Sequence, residues 1–170
     1  MKNFTSGGFW QGFNTTAGIL TVFFLVLVPA VRAYQDYKES VDMSLQQTAT
    51  STFAVVIGNA SSTPLNAIEF ELHFDPTKIN ITSIVSQGIL CENRFIITNR
   101  INNASGTALF QCGTVTPFSG KVGTVATVYA TKLKAGTSTI TFGKTTHVLA
   151  HDGYGTDATR TRHNIVFNAL

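Results

Sequence analysis

Leu65-Asn66-Ala67-Ile68-Glu69-Phe70-Glu71-Leu72-His73-Phe74 is the stretch that decides the fold. Ile68, Phe70, Leu72 and Phe74 take alternate positions, and Glu69, Glu71 and His73 fill the positions between them. Successive side chains of an extended chain point to opposite faces, so this period of two predicts a strand with one buried and one wet face. Asp75-Pro76-Thr77-Lys78 follows as a turn, with Asp at its first position and the fixed φ of Pro suited to the second.

Outward from this segment the same reading repeats. Thr52–Gly58, Ile79–Ser86, Arg94–Thr98, Thr107–Cys112, Val122–Leu133, Ser138–Phe142, His147–Ala150 and Asn164–Phe167 are β-branched or aromatic runs. Breaks at Asn102-Asn103, Ser119-Gly120, Ala135-Gly136 and Asp152-Gly153 separate them. About nine short strands with no amphipathic helix between them predict an all-β fold, an antiparallel β-sandwich. A parallel sheet would need helical crossovers, for which the chain has no room.

Composition agrees. Of 170 residues, 44% are hydrophobic and only 12% charged, about half the usual charged share. Thirteen Phe exclude a disordered chain, and the scarcity of charged residues excludes solvated helical bundles. The net charge of +3 is not a basic patch. Lys2 and Arg32 flank an apolar leader, and the cations beyond it are scattered among nearly as many acids. Nucleic-acid binding needs a clustered basic stripe, so it is not expected.

The leader sets the compartment. Ala17–Val31 is apolar except for Thr21. As a secretory signal peptide, residues 1–33 would use Lys2 as the charged end, Ile19–Val28 as the apolar stretch, and a cut after Ala33. As an uncleaved anchor, the segment would form one N-terminal hydrophobic helix and hold the chain to the membrane through residues 17–31. Both readings place residues 34–170 outside the cytoplasm, with 34–40 as a short linker and 41–170 as the sandwich. Cys91 and Cys112 both fall in the exported part, where an even count suggests a disulfide; two buried free thiols are the alternative.

Residues that could carry chemistry are few. No G-x-S-x-G occurs, and His151-Asp152 is the one adjacent His/acid pair, which could cooperate only within a turn. No enzyme is therefore expected. Asp152 and Asp157 frame a glycine-rich segment and are the only candidates for calcium, but the alternating oxygen donors of a calcium loop are missing, so a turn with positive-φ glycines is the simpler reading. Asn59, Asn80 and Asn103 begin N-x-S/T sequons; Asn59 and Asn103 are expected in surface loops and Asn80 within a strand. Tyr129 and Tyr154 are the aromatics beyond the linker that could stack on a sugar.

Several of these pieces together resemble the cohesin family. They are Leu65–Phe70 with Leu72-His73-Phe74-Asp75-Pro76, then Ile79-Asn80-Ile81-Thr82-Ser83-Ile84. Gly120–Val125, Lys134–Phe142 and the closing Val148-Leu149-Ala150-His151-Asp152-Gly153-Tyr154-Gly155-Thr156 follow in the same order. The resemblance spans Val41 to Leu170. It implies a jelly-roll sandwich and a non-catalytic role at the cell surface, docking a surface or secreted protein, with a dockerin-like module as the candidate. The binding face is not defined by the matching motifs. Two other roles remain open: a carbohydrate-binding module for polysaccharide, and a pilin-like or surface-layer subunit packed through its N-terminal helix.

Overall fold

The computed structural model describes residues 39–91 and 95–169. The leader, most of the linker, Trp10, Tyr34 and Tyr37 lie outside the described residues, as does Arg94 at the start of one expected strand. No helix among the described residues is long and apolar enough to cross a membrane.

Among the described residues, eleven strands form two sheets. They are β1 (Val41–Ala49), β2 (Thr52–Asn59), β3 (Leu65–His73), β4 (Ile79–Ser86), β5 (Ile96–Asn102) and β6 (Thr107–Phe118), followed by β7 (Val122–Lys132), β8 (Gly136–Phe142), β9 (His147–Ala150), β10 (Thr159–His163) and β11 (Ile165–Ala169). The first sheet has the order β10-β1-β2-β7-β4, and the second β11-β8-β3-β6-β5. β9 joins the second sheet beside the first half of β3, while β8 pairs with its end. The fold is the expected jelly-roll sandwich, with two strands more than expected, β1 and β10. These pair parallel to each other, the one departure from antiparallel order among the described strands.

The core lies between the sheets. Phe70, Leu72 and Ile68 of β3 are buried, and so are Phe110 of β6, Ile79 and Ile81 of β4, Val55 and Ile57 of β2, and Val41 and Met43 of β1. Phe70 and Phe110 stack with ring centroids 5.1 Å apart. Phe53 of β2 meets Phe167 of β11 edge to face at 5.8 Å, tying the sheets together. A disulfide joins Cys91, in a 3-10 turn at Ile89–Cys91, to Cys112 of β6, with Cα atoms 5.4 Å apart and both residues buried.

The turns follow their sequence chemistry. Asp75 Oδ1 accepts hydrogen bonds from the Thr77 N–H at 2.9 Å and hydroxyl at 2.7 Å, and the Asp75 carbonyl accepts from the Lys78 N–H at 3.0 Å. Between β8 and β9, Thr146 replaces a ladder partner: its hydroxyl accepts from the Glu71 N–H at 3.0 Å and faces the Glu71 carbonyl at 3.3 Å. The sheet therefore stays continuous where the strand breaks.

Candidate functional site

The outer face of the second sheet gathers the wet side of β3 with side chains from its neighbours. Register places Glu69 opposite Gln111, Glu71 opposite Leu109 and His73 opposite Thr107 across β3 and β6. On the far side of β6, Thr98 lies opposite Gln111, Arg100 opposite Leu109 and Asn102 opposite Thr107. Beside β3, His147 of β9 lies opposite Glu69. Three cross-strand rows result, each made of one residue from β3, one from β6 and one from β5.

Two hollows open on this face. One, of about 510 Å³, is lined by Glu71, Arg100, Asn102, Thr107 and Leu109. The other, of about 220 Å³, is lined by Ala67, Glu69, Ile97, Gln111, His147 and Leu149. Ile97 sits at an irregularity between Ile96 and Thr98 and is 73% exposed, so an apolar side chain stands in water at the rim. Hydrogen bonds preset the polar groups. Gln111 Nε2 donates to Glu69 Oε2, and the Thr98 hydroxyl donates to Gln111 Oε1 at 2.7 Å. His73 Nε2 lies 3.2 Å from Glu71 Oε1, and the Thr145 hydroxyl donates to Glu71 Oε2 at 3.0 Å. Gly143 lies beneath this pair, and a Cβ there would collide with the Glu71 carboxylate and the His73 ring.

The outer face of the first sheet is different in kind. Near its edge, Arg160 Nε donates to Asp42 Oδ1 at 2.9 Å, and Arg160 Nη2 pairs with Oδ2. The Thr161 hydroxyl also donates to Asp42, and it meets His163 Nε2 at 3.0 Å. The Arg160 guanidinium holds the Asp42 carboxyl down to about 2, against partial burial and with help from Thr161. These charges are satisfied within the protein.

The residues singled out in the sequence fall as follows. Gly153 and Gly155 have φ of 77° and 69°, and Asp152 Oδ1 accepts from the N–H groups of Tyr154 at 2.9 Å and Gly155 at 3.1 Å. These bonds, led by one to the Thr156 side chain, lower the Asp152 carboxyl. Asp157 Oδ1 accepts from the Thr159 N–H at 2.9 Å. Both carboxylates thus serve local turns, and among the described residues no three His, Cys, Asp or Glu side chains gather as a metal site would require. His151 turns its Nδ1 toward Asn66 Nδ2, 3.3 Å away, rather than toward an acid.

The sequon asparagines bring a correction. Asn59, expected in a surface loop, is fully buried; its amide donates to the Thr63 carbonyl at 2.8 Å and accepts from the Thr63 N–H at 3.0 Å. A side-chain amide has the donor and acceptor of a peptide group, and here it closes the loop after β2 in that role. Asn103 is half-buried and does the same against Ile81. Asn80 lies in β4, half-exposed between buried Ile79 and Ile81, as its alternation predicts. Tyr154 is 89% exposed in the β9–β10 loop, whereas Tyr129 lies on β7 in the other sheet, so the two form no common platform.

Leu109, Gln111 and Arg100 were not marked by the sequence as parts of a site. Their signal was present only as alternation within β6 and β5, and it acquires meaning once register sets them beside Glu69 and Glu71.

No protein-family model matches the chain, and no curated protein matches it. Solved structures do. A third cohesin of ScaC in complex with the ScaB dockerin, from Acetivibrio cellulolyticus, is 18% identical, with a TM-score of 0.62 over 76% of this chain and 99% of the other. The cohesin CaCohA2 from Clostridium acetobutylicum is 18% identical, with a TM-score of 0.61 over 77% of this chain and 92% of its own. A non-cellulosomal cohesin from the archaeon Archaeoglobus fulgidus is 15% identical, with a TM-score of 0.58 over 75% and 89%. The two-sheet body of this chain has the cohesin fold.

Proposed function

We propose that this domain is a non-catalytic docking module, displayed outside the cytoplasm, that seats a protein partner on the outer face of its second sheet. The observation that carries the reading is the two hollows on that face, about 510 and 220 Å³, lined by Leu109 and Leu149 respectively together with oriented polar groups. A protein interface needs an apolar centre with a polar rim, and this face has both. Similarity of fold points the same way, because several of the similar structures are cohesins in complex with dockerins. The partner class that follows is a dockerin-type module on another exported protein. Polysaccharide is the weaker reading, since Tyr129 and Tyr154 are on separate surfaces.

Two experiments test this. Residues 1–40 fused to a periplasm-dependent phosphatase should give activity only if they direct export; an inactive fusion contradicts the compartment. Purified dockerin modules encoded in the same genome should bind the full-length chain in mild detergent, and failure of every one contradicts the partner class.

A further inference from the structure

We propose that the docked partner presents a helix carrying a basic, an apolar and an acidic residue in register with Glu71, Leu109 and Arg100, and that this charge order selects the partner. The inference rests on the docking reading above and specifies its chemistry.

The row Glu71–Leu109–Arg100 is fixed by the ladders on both sides of β6. It puts a carboxylate, an isobutyl group and a guanidinium in line across three strands, facing the 510 Å³ hollow. The Glu71 carboxylate is held in place by Thr145 and His73, with a quarter of its side chain exposed. The exposed Arg100 guanidinium makes no hydrogen bond or ion pair with any described residue, unlike Arg160 and Arg162 on the other edge. The flanking rows hold no Lys or Arg: one is Glu69–Gln111–Thr98, already hydrogen-bonded to itself, and the other is His73–Thr107–Asn102, whose imidazole already lies against Glu71. Among the described residues of these three rows, the carboxylates lie on β3 and the one guanidinium lies on β5.

Covering this row removes water from both charges. Burial of an ion without a counter-ion is strongly unfavourable, so a partner of matched order is accepted and one of reversed order rejected. The spacing selects a helix. Neighbouring strands lie about 4.8 Å apart, so the backbones that carry Glu71 and Arg100, two strands apart, are about 10 Å apart across the sheet. Seven helical residues rise about 10.5 Å, and positions i, i+4 and i+7 share one face. An extended peptide presents same-face residues about 7 or 14 Å apart, and neither distance fits.

The test uses a surface-displayed library of dockerin modules with randomised helix-surface positions, selected on the full-length chain in mild detergent. The expected winners carry Lys or Arg, an aliphatic residue, and Asp or Glu at i, i+4 and i+7, in either chain direction. Their affinity should fall at least tenfold on the double substitution E71K/R100E and recover when the two binder charges are exchanged. E71Q/R100Q, which keeps shape and removes charge, should give an intermediate loss, and unchanged thermal melting of each variant verifies its fold. Binders that lose affinity on L109D but change less than twofold on E71K/R100E would overturn the charge rule and leave the docking face standing. Binders indifferent to L109D, or no binders at all, would overturn both.

Discussion

The side chain of Asn103 acts as a missing strand for Ile81. Its Oδ1 accepts from the Ile81 N–H at 2.9 Å, and its Nδ2 donates to the Ile81 carbonyl at 2.9 Å. Asn99, also beyond the edge of β4, donates to the Ile84 carbonyl at 2.9 Å. β4 and β5 are edge strands of opposite sheets, and these two amides stitch the seam between them. Unpaired edges invite pairing with other chains, and satisfying them internally blocks that route. The substitution N103A should therefore cost about 2 kcal/mol, for two lost hydrogen bonds and two part-buried backbone groups left unpaired. Urea unfolding measures it; a loss under about 0.5 kcal/mol would mean that water takes over both bonds.

Asp42 makes stability depend on pH in a defined window. Its carboxyl lies near 2 in the folded chain, against 3.8 for the free group, chiefly because Arg160 donates to it. A depressed carboxyl contributes stability that is complete above the unfolded value and lost as the pH falls through the folded one. The contribution should thus be full above about pH 5 and gone near pH 2. Solvent screening of the pair reduces it to about 1 kcal/mol. D42N should remove that part of the acid limb in thermal melts between pH 2 and 5, and a parallel limb in the variant would contradict the assignment.

The disulfide closes a loop of 21 residues in sequence separation, spanning the crossing from the first sheet to β5. In the chain-entropy model such a loop contributes about 3 kcal/mol. C91A/C112A should lose about that amount in urea unfolding, and the native wild type should resist reductant until denaturant is added, because both sulfurs are buried. Rapid reduction without denaturant would show that the loop opens locally.

The two strands absent from the sequence reading were missed for different reasons. β1 carries a clear alternation, Val41, Met43 and Leu45 buried against Asp42 and Ser44, but it directly follows a polar stretch and reads as its continuation. β10 is Thr-Arg-Thr-Arg-His, with only Thr159 buried. Nothing apolar marks it as a strand; parallel pairing to β1 and the Asp42–Arg160 contact hold it, and both partners are more than a hundred residues away in sequence. The docking face shows the same division. The wet side of β3 was legible as Glu69, Glu71 and His73, because alternation is local. The addition of Leu109, Gln111, Arg100 and His147 depends on register between strands, which no local pattern encodes. The turn at Asp152–Gly155 was legible because positive φ and side-chain capping are properties of a few adjacent residues.

Leu109 is the residue on which the docking account turns, since it lines the larger hollow and stands between the two charged residues of its row. Titration calorimetry of full-length wild type and L109D against a dockerin module that binds the wild type is the most direct measurement. A carboxylate forced into the apolar centre of an interface should weaken binding by about 3 kcal/mol, near a hundredfold, with thermal melting unchanged. Equal affinity of the two proteins would contradict the account and move the partner to another surface.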